Sequence, residues 1–364
     1  MAPSVVVAGG GTAGHIEPAL AVGEVLRDAH NANVVALGTE RGLETSIVPA
    51  RGFELRLIDP VPIPRSKPWL LAGVPFKLNK SVSQTRRILK DTGAQAVFGT
   101  GGYVAAPAYL AARSLGIPFY VLETNALAGM ANKLGVRLGG TGFNAVANSG
   151  MPGDVVGIPV RPGVGVDPDG AKAERGLKMW NLDPDRKTLL VTGGSQGAVR
   201  INEALAGAVE RLVADGFQIL HAYGRKNDAP AAHEHYTAVP YIDDMEAAYA
   251  VADMVVCRSG AMTVAENSAA SLPAVYVPLP HGNGEQGLNS AHLVSAGAAV
   301  RIDDAALTPK SLYTAVSEIL GDDTRLADMR AALAQSGAGN VAEDLAARII
   351  HDIASNTDQA VGSK

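Results

Sequence analysis

Two stretches of this chain share one plan: a short apolar run, a glycine-rich turn, then a helical pattern. The first is Val5, Val6, Val7 and Ala8, followed by Gly9-Gly10-Gly11-Thr12-Ala13-Gly14-His15 and a helix expected over about 17–29. The second is a strand over 187–191, then Thr192-Gly193-Gly194-Ser195-Gln196-Gly197 and one helix over 198–215. Apolar runs this short suit strands buried on both faces of a parallel sheet, whose neighbours are reached through crossover helices. Further strands read at 33–37, 54–58, 96–99, 119–122, 142–147, 254–257 and 274–277, with helical segments between most of them. That is the alternation of a doubly wound α/β sheet.

At 364 residues the chain is too long for one ordinary core. The crossing Gly157-Ile158-Pro159-Val160-Arg161-Pro162-Gly163 marks the boundary. We therefore expect two Rossmann-like domains facing each other across a cleft, residues 1–160 and 165–340. A last helix over 341–354 would pack back on the first domain, and 355–364 would be a frayed tail.

A net charge of −5 argues against a nucleic-acid binder. The single cysteine, Cys257, lies inside an apolar strand and reads as a packed core thiol. The most apolar long segment, 104–122, is interrupted by Arg113, Gly116 and Pro118. It reads as helix then strand, so no membrane span and no leader segment are expected. The acidic and histidine clusters read as solvated turns, giving no metal site and no cofactor.

The richest stretch is 239–289. In a parallel sheet the loops after the strands' carboxyl ends form the ligand crevice, so Arg258, Ser259, Glu266, Glu285 and Gln286 are carried toward one mouth. Glu266 lies early in a helix that favours anions at its start. Its carboxylate can accept two hydroxyl bonds, as from a ribose, or it can merely complement the helix dipole. Gly193 to Gly197 is a phosphate cradle without a following Lys-Ser/Thr, and so not a Walker-type loop.

Gly9-x-Gly11-x-x-Gly14 satisfies the dinucleotide fingerprint, with Glu40 as the acidic residue that pattern expects later in the chain. The loop is equally suited to presenting Thr12 and His15 to another substrate. His15 begins a helix, where it could serve as a base or be an ordinary hydrogen-bonded imidazole. Residues 64–90 carry Arg65, Lys67, Lys77, Lys80, Arg86, Arg87 and Lys90 among Trp69, Leu70, Leu71, Val74, Phe76 and Leu78, with no acid among them. This suits an anionic bilayer surface, or a helix with a solvated charged face.

Taken together, the chain resembles the MurG family, GT-B-fold glycosyltransferases of peptidoglycan synthesis. The likeness is carried by GGTAGH at 10–15 with Pro18, GTGGYVAAP at 99–107 and ETNALAGMANK at 123–133. In the second half it is carried by GGSQGA at 193–198, IDDM at 242–245 and CRSGAMTVAE at 257–266. It implies inverting, metal-independent transfer of N-acetylglucosamine from UDP-GlcNAc to the C4 hydroxyl of MurNAc-pentapeptide on undecaprenyl diphosphate, lipid I to lipid II. The place of action would be the cytoplasmic face of the membrane. By the same resemblance Ile242 would meet the uracil, Glu266 the ribose and Ser195 the diphosphate. Ala261, Met262, Thr263, Val264 and Ala265 would line that wall. Asn125, Arg161 and Gln286 would reach the sugar and diphosphate, and Thr12, Ala13 and Gly14 would border the donor. Thr12, His15 and Tyr103 fall on the acceptor side, His15 being the family's candidate base.

Ala13 stands where the family usually has glycine, Leu122 and Thr124 replace a frequent His and Gln, and Glu285 replaces the first of a Gln pair. The competing readings are a nicotinamide-dependent oxidoreductase using the first glycine loop, a UDP-sugar epimerase of the same fold, and a binding module without catalysis.

Overall fold

The computed structural model describes residues 2–61, 74–194, 197–280, 284–335 and 340–362, the side chains of 357–362 apart. The chain divides into two compact units, Met1–Arg161 with Gly339–Lys364, and Pro162–Ala338.

In the first unit, β1 (Ser4–Gly9), β2 (Asn33–Gly38), β3 (Glu54–Leu57), β4 (Ala96–Gly101), β5 (Phe119–Glu123), β6 (Thr141–Asn144) and β7 (Asp154–Val155) form a parallel sheet in the order β3-β2-β1-β4-β5-β6-β7. The valines of β1 are buried on both faces, which is why that segment reads as a continuous apolar run. The strand order reverses between β1 and β4, so the loops leaving those two strands flank the unit's crevice.

The first helix, Ala13–Asp28, starts four residues before the expected 17, with Thr12 extended as its N-cap. Pro18 therefore lies in the second turn rather than at the entry. Its ring nitrogen cannot donate to the carbonyl of Gly14. The Thr100 hydroxyl donates to the adjacent carbonyl of His15 at 2.5 Å, tying this turn to the end of β4.

The final helix, Val341–Gly362, places Val341, Ala342, Leu345, Ala346, Ile349 and Ile353 in the core shared with Ile16, Ala19 and Leu20. That three-and-four spacing is one helical face. Each of its larger residues stabilises the unit by about 1.5–3 kcal/mol. The helix runs past the expected end at 354 and through most of the segment expected to fray. No glycine or proline interrupts the chain between Ile353 and Gly362.

The second unit holds β8 (Thr188–Thr192), β9 (Gln218–Ala222), β10 (Tyr236–Val239), β11 (Met254–Cys257), β12 (Ala274–Tyr276) and β13 (Ala299–Arg301), parallel in the order β10-β9-β8-β11-β12-β13. Its order reverses between β8 and β11. The helix expected over 198–215 is two helices, Val199–Ala206 and Val209–Ala214. Gly207 separates them, packed so closely on Pro309 that a Cβ there would lie 2.6 Å from Pro309 Cγ.

Strands β9, β10 and β13 had no clear sequence signal. β9 contains Gln218 and His221, polar residues that stay buried because their hydrogen bonds are met internally. His221 Nδ1 lies 2.7 Å from the Tyr236 hydroxyl and Nε2 lies 3.0 Å from Asn202 Oδ1. Burial pushes its pKa down to about 4. The neutral ring then accepts from Tyr236 and donates to Asn202, whose amide donates to the Tyr223 carbonyl.

Candidate active site

In the second unit the loops leaving β8 and β11 border a cavity of about 560 Å³. Gly193, Gly194 and Gly197 line it after β8, and Arg258, Gly260, Thr263 and Glu266 line it from β11 and the helix Ala261–Ala269. Tyr241, Ile242, Met245 and Tyr249 come from the turn after β10 and the helix Met245–Val251, with Leu279 and Gln286 beyond β12.

The glycines here have a steric reason. Gly197 and Gly224 touch backbone to backbone, and a Cβ on Gly224 would lie 2.6 Å from the Gly197 Cα. Both have positive φ, 73° and 91°. The turn carrying Ile242 is fixed by Asp244, whose side chain accepts the Ala247 N–H at 3.0 Å as the N-cap of Met245–Val251.

Glu266 is the acid of this cavity, and Tyr249 holds it: the phenol donates to Glu266 Oε2 at 2.9 Å. Burial, then the charge of Glu266, pushes the Tyr249 pKa well above its usual value, so the phenol remains a donor. Thr263 and Glu266, three apart, share the helix face that lines the cavity. Ala261, Met262 and Val264 are buried, Val264 in the core beneath, and Ala265 is not among the lining residues.

Three further residues expected at the mouth have structural partners. Arg258 lines the cavity, yet its Nη1 donates to the Val277 and Pro278 carbonyls and to Asp304 Oδ1, at 3.2, 3.3 and 2.5 Å. Asp304 also pairs with Arg200. Ser259 is fully buried and donates to the Gln286 carbonyl at 2.8 Å. Gln286 Oε1 accepts the Leu279 N–H at 3.0 Å, which shapes the loop after β12 while Gln286 stays on the lining. Ser195 lies outside the described residues. Cys257 is a buried thiol, with burial pushing its pKa up to about 12.

In the first unit His15 is the third residue of its helix, half-buried beside the end of β4. A Cβ on Gly101 would lie 2.9 Å from its ring, so the imidazole occupies space that a glycine leaves. Thr12 and Ala13 are exposed, Gly14 is half-buried, and the ring of Tyr103 (51 % exposed) flanks Gly11.

Beneath this loop lies a residue that sequence reasoning passed over. Glu44 is fully buried at the start of the helix Glu44–Ala50, and its Oε1 accepts the Gly11 N–H at 3.1 Å. Glu40, the acid expected to serve the fingerprint, is exposed. A carboxyl oxygen and a phosphate oxygen compete for the same N–H, so Glu44 takes a donor that a pyrophosphate would need. That contact weighs against the dinucleotide reading of this loop.

Asn125 is likewise organised by a buried acid. Glu123 Oε1 accepts from its N–H and amide, at 2.9 and 3.3 Å, while Oε2 accepts from Gly129 and Asn132. Arg161 belongs to the first unit, its Nε 3.8 Å from Glu17 Oε2 within a group that includes Arg51 and Glu24. Of the basic segment, the helix Val74–Asp91 is described and Arg65, Lys67, Trp69, Leu70 and Leu71 are not. Lys77, Lys80, Arg86, Arg87 and Lys90 are exposed, as is Phe76 at 82 %. Asp59, outside the segment, pairs with Lys80 at 2.6 Å. Among the described residues no helix is long and apolar enough to cross a membrane, and no group of three acidic, histidine or cysteine residues could hold a metal.

A signal for Tyr249 was available. It stands four residues after Met245, so one helix face turns both toward the cavity. For Glu44 the sequence offered only an acid at a helix start.

The chain matches the glycosyltransferase family 28 N-terminal domain over residues 5–139 and the family 28 C-terminal domain over 188–345. A Corynebacterium efficiens protein, UDP-N-acetylglucosamine--N-acetylmuramyl-(pentapeptide) pyrophosphoryl-undecaprenol N-acetylglucosamine transferase, is 62 % identical over 93 % of this chain and 94 % of its own. The Mycobacterium avium protein of the same name is 47 % identical over 94 % of this chain and 87 % of its own. Among solved structures, Acinetobacter baumannii MurG is 30 % identical with a TM-score of 0.75, covering 96 % of this chain and 99 % of its own. The glycosyltransferase of kitacinnamycin, at 18 % identity and a TM-score of 0.68 over 96 % and 99 %, shares the fold. Two parallel α/β units with these relatives make a GT-B glycosyltransferase, and the chain belongs to the MurG family.

Proposed function

We propose that this protein transfers N-acetylglucosamine from UDP-GlcNAc to the C4 hydroxyl of MurNAc-pentapeptide on undecaprenyl diphosphate, converting lipid I to lipid II in peptidoglycan synthesis. The observation that carries the donor assignment is the second unit's cavity, with its glycine wall after β8 and an acid held by a buried phenol. A glycine wall admits a diphosphate close to backbone N–H groups. A positioned carboxylate accepts the 2′ and 3′ hydroxyls of a ribose, and the Ile242 backbone meets the uracil edge. Ser195 contacts the diphosphate and Gln286 the sugar. Asn125, Arg161 and the first loop's Thr12, Ala13 and Gly14 complete the donor contacts, as the family resemblance implies.

Catalysis is one displacement. The acceptor oxygen attacks the anomeric carbon, the bond from that carbon to UDP breaks on the opposite side, and the configuration inverts. His15 removes the hydroxyl proton, directly or through a water, with Thr12 and Tyr103 flanking the acceptor. Positioned proton removal is worth about 10²–10⁴-fold. Backbone donors and the helix start stabilise the departing diphosphate without a metal ion, so chelation should leave turnover unchanged.

The helix Val74–Asp91 supports docking at the cytoplasmic face of an anionic membrane. Arg86, Arg87 and Lys90 line a groove of about 420 Å³ with Asn79, Ser83 and one acid, Asp91, and each cation near such a surface contributes about 1 kcal/mol. Turnover of a lipid I analogue with UDP-GlcNAc, and binding of UDP in preference to NAD, test the whole reading. Binding of NAD in place of UDP overturns it, and hydrolysis or epimerisation of the donor without an acceptor replaces the transfer assignment.

A further inference from the structure

We propose that Tyr249 positions Glu266, and that the pair decides ribose against 2′-deoxyribose in the donor nucleotide. This rests on the donor reading above and deepens it.

Tyr249 is 5 % exposed, packed in the core beneath the cavity, and its hydroxyl meets Glu266 Oε2 at 2.9 Å. A glutamate has three side-chain torsions and, in a cavity open to water, samples many of their combinations. A donor fixed in the core removes that freedom before a ligand arrives, so less ordering is required on binding. A carboxylate has about four lone-pair sites. The phenol occupies one of those sites, and a ribose diol brings two donors to the carboxylate where 2′-deoxyribose brings one. A site built to take a hydroxyl bond discriminates strongly against the analogue that lacks it.

The sequence places the phenol well for this. Met245–Val251 is the helix capped by Asp244, and the capped turn carries Ile242. One short element thus bears the base wall, Ile242, just before its start and the support for the ribose acid, Tyr249, seven residues further along.

The test uses the full chain and calorimetric Kd values for UDP and 2′-deoxy-UDP. Wild type should prefer UDP by about tenfold or more. Tyr249→Phe keeps the ring in the core and should weaken UDP by about five- to tenfold, with a smaller change for 2′-deoxy-UDP, so the preference shrinks at least about threefold. In a Glu266→Ala background, Tyr249→Phe should have no further effect on either nucleotide. An unchanged UDP preference in Tyr249→Phe overturns the proposal. So does an equal loss in both backgrounds, which is the pattern of a phenol that merely stabilises the fold. If Glu266→Ala itself leaves UDP affinity intact, the donor reading falls first, a result separable from a failure confined to Tyr249.

Discussion

The two glycine loops begin alike and end differently. Each follows a central strand, each sits at a strand-order reversal, and each leads into a helix. In the first unit the Gly11 N–H is engaged by Glu44, and the loop after β4 lies so close that a Cβ on Gly102 would be 1.9 Å from the Gly10 carbonyl oxygen. In the second unit the corresponding loop borders open space, and its acid, Glu266, is part of the same cavity lining. Glycine spacing therefore licenses a close backbone approach without naming what approaches. In the first unit the partner is the protein's own carboxyl and backbone; in the second Gly197 meets the Gly224 backbone, while Gly193 and Gly194 stay on the wall of the cavity.

The largest expected effect separates chemistry from binding. His15→Ala should cut turnover by about 10²–10⁴-fold and leave the Kd for UDP unchanged; if turnover holds, the first loop presents no base. Next is a pH effect confined to the second unit. The folded His221 pKa of about 4 lies below the unfolded value of 6.5. The unfolded state therefore binds the proton first, and stability present above pH 6.5 is lost as pH falls toward 4, by up to ~3 kcal/mol. Amide exchange resolved by unit should show this loss in β8 to β10, and its absence would mean that His221 titrates as an ordinary histidine.

Glu266→Ala should cost about 1.5–3 kcal/mol of UDP binding with the first unit unaffected. Unaltered affinity would remove the ribose assignment. The smallest change on the second unit is expected from Glu44→Ala. It should destabilise the first unit by about 1–3 kcal/mol through the unpaired Gly11 N–H, with UDP affinity unmoved. A gain of NAD or pyrophosphate binding in that variant would show that Glu44 alone closes the first loop. A loss of UDP binding would break the contrast between the loops.

Much of the architecture was legible because burial on both faces of a parallel strand writes itself as an apolar run. Val5 to Ala8, Met254–Cys257 and the stripe from Val341 to Ile353 are examples. Strand β9 was not legible, since Gln218 and His221 are tolerated there only through partners distant in sequence. The helix break at Gly207 likewise depends on Pro309, about a hundred residues further on.

By itself, then, the sequence determined two doubly wound units, the glycine loops that follow their first strands, and the family. Periodicity, glycine runs and motif spacing are local properties, and each is set by neighbours within a few turns. Only the tertiary structure decided which acid serves which loop: Glu44 rather than Glu40 beneath the first, Tyr249 behind Glu266, and Arg258 tied to Asp304. A buried polar group must be satisfied wherever a partner can reach it, and that partner is chosen by packing in three dimensions, which no spacing along the chain records.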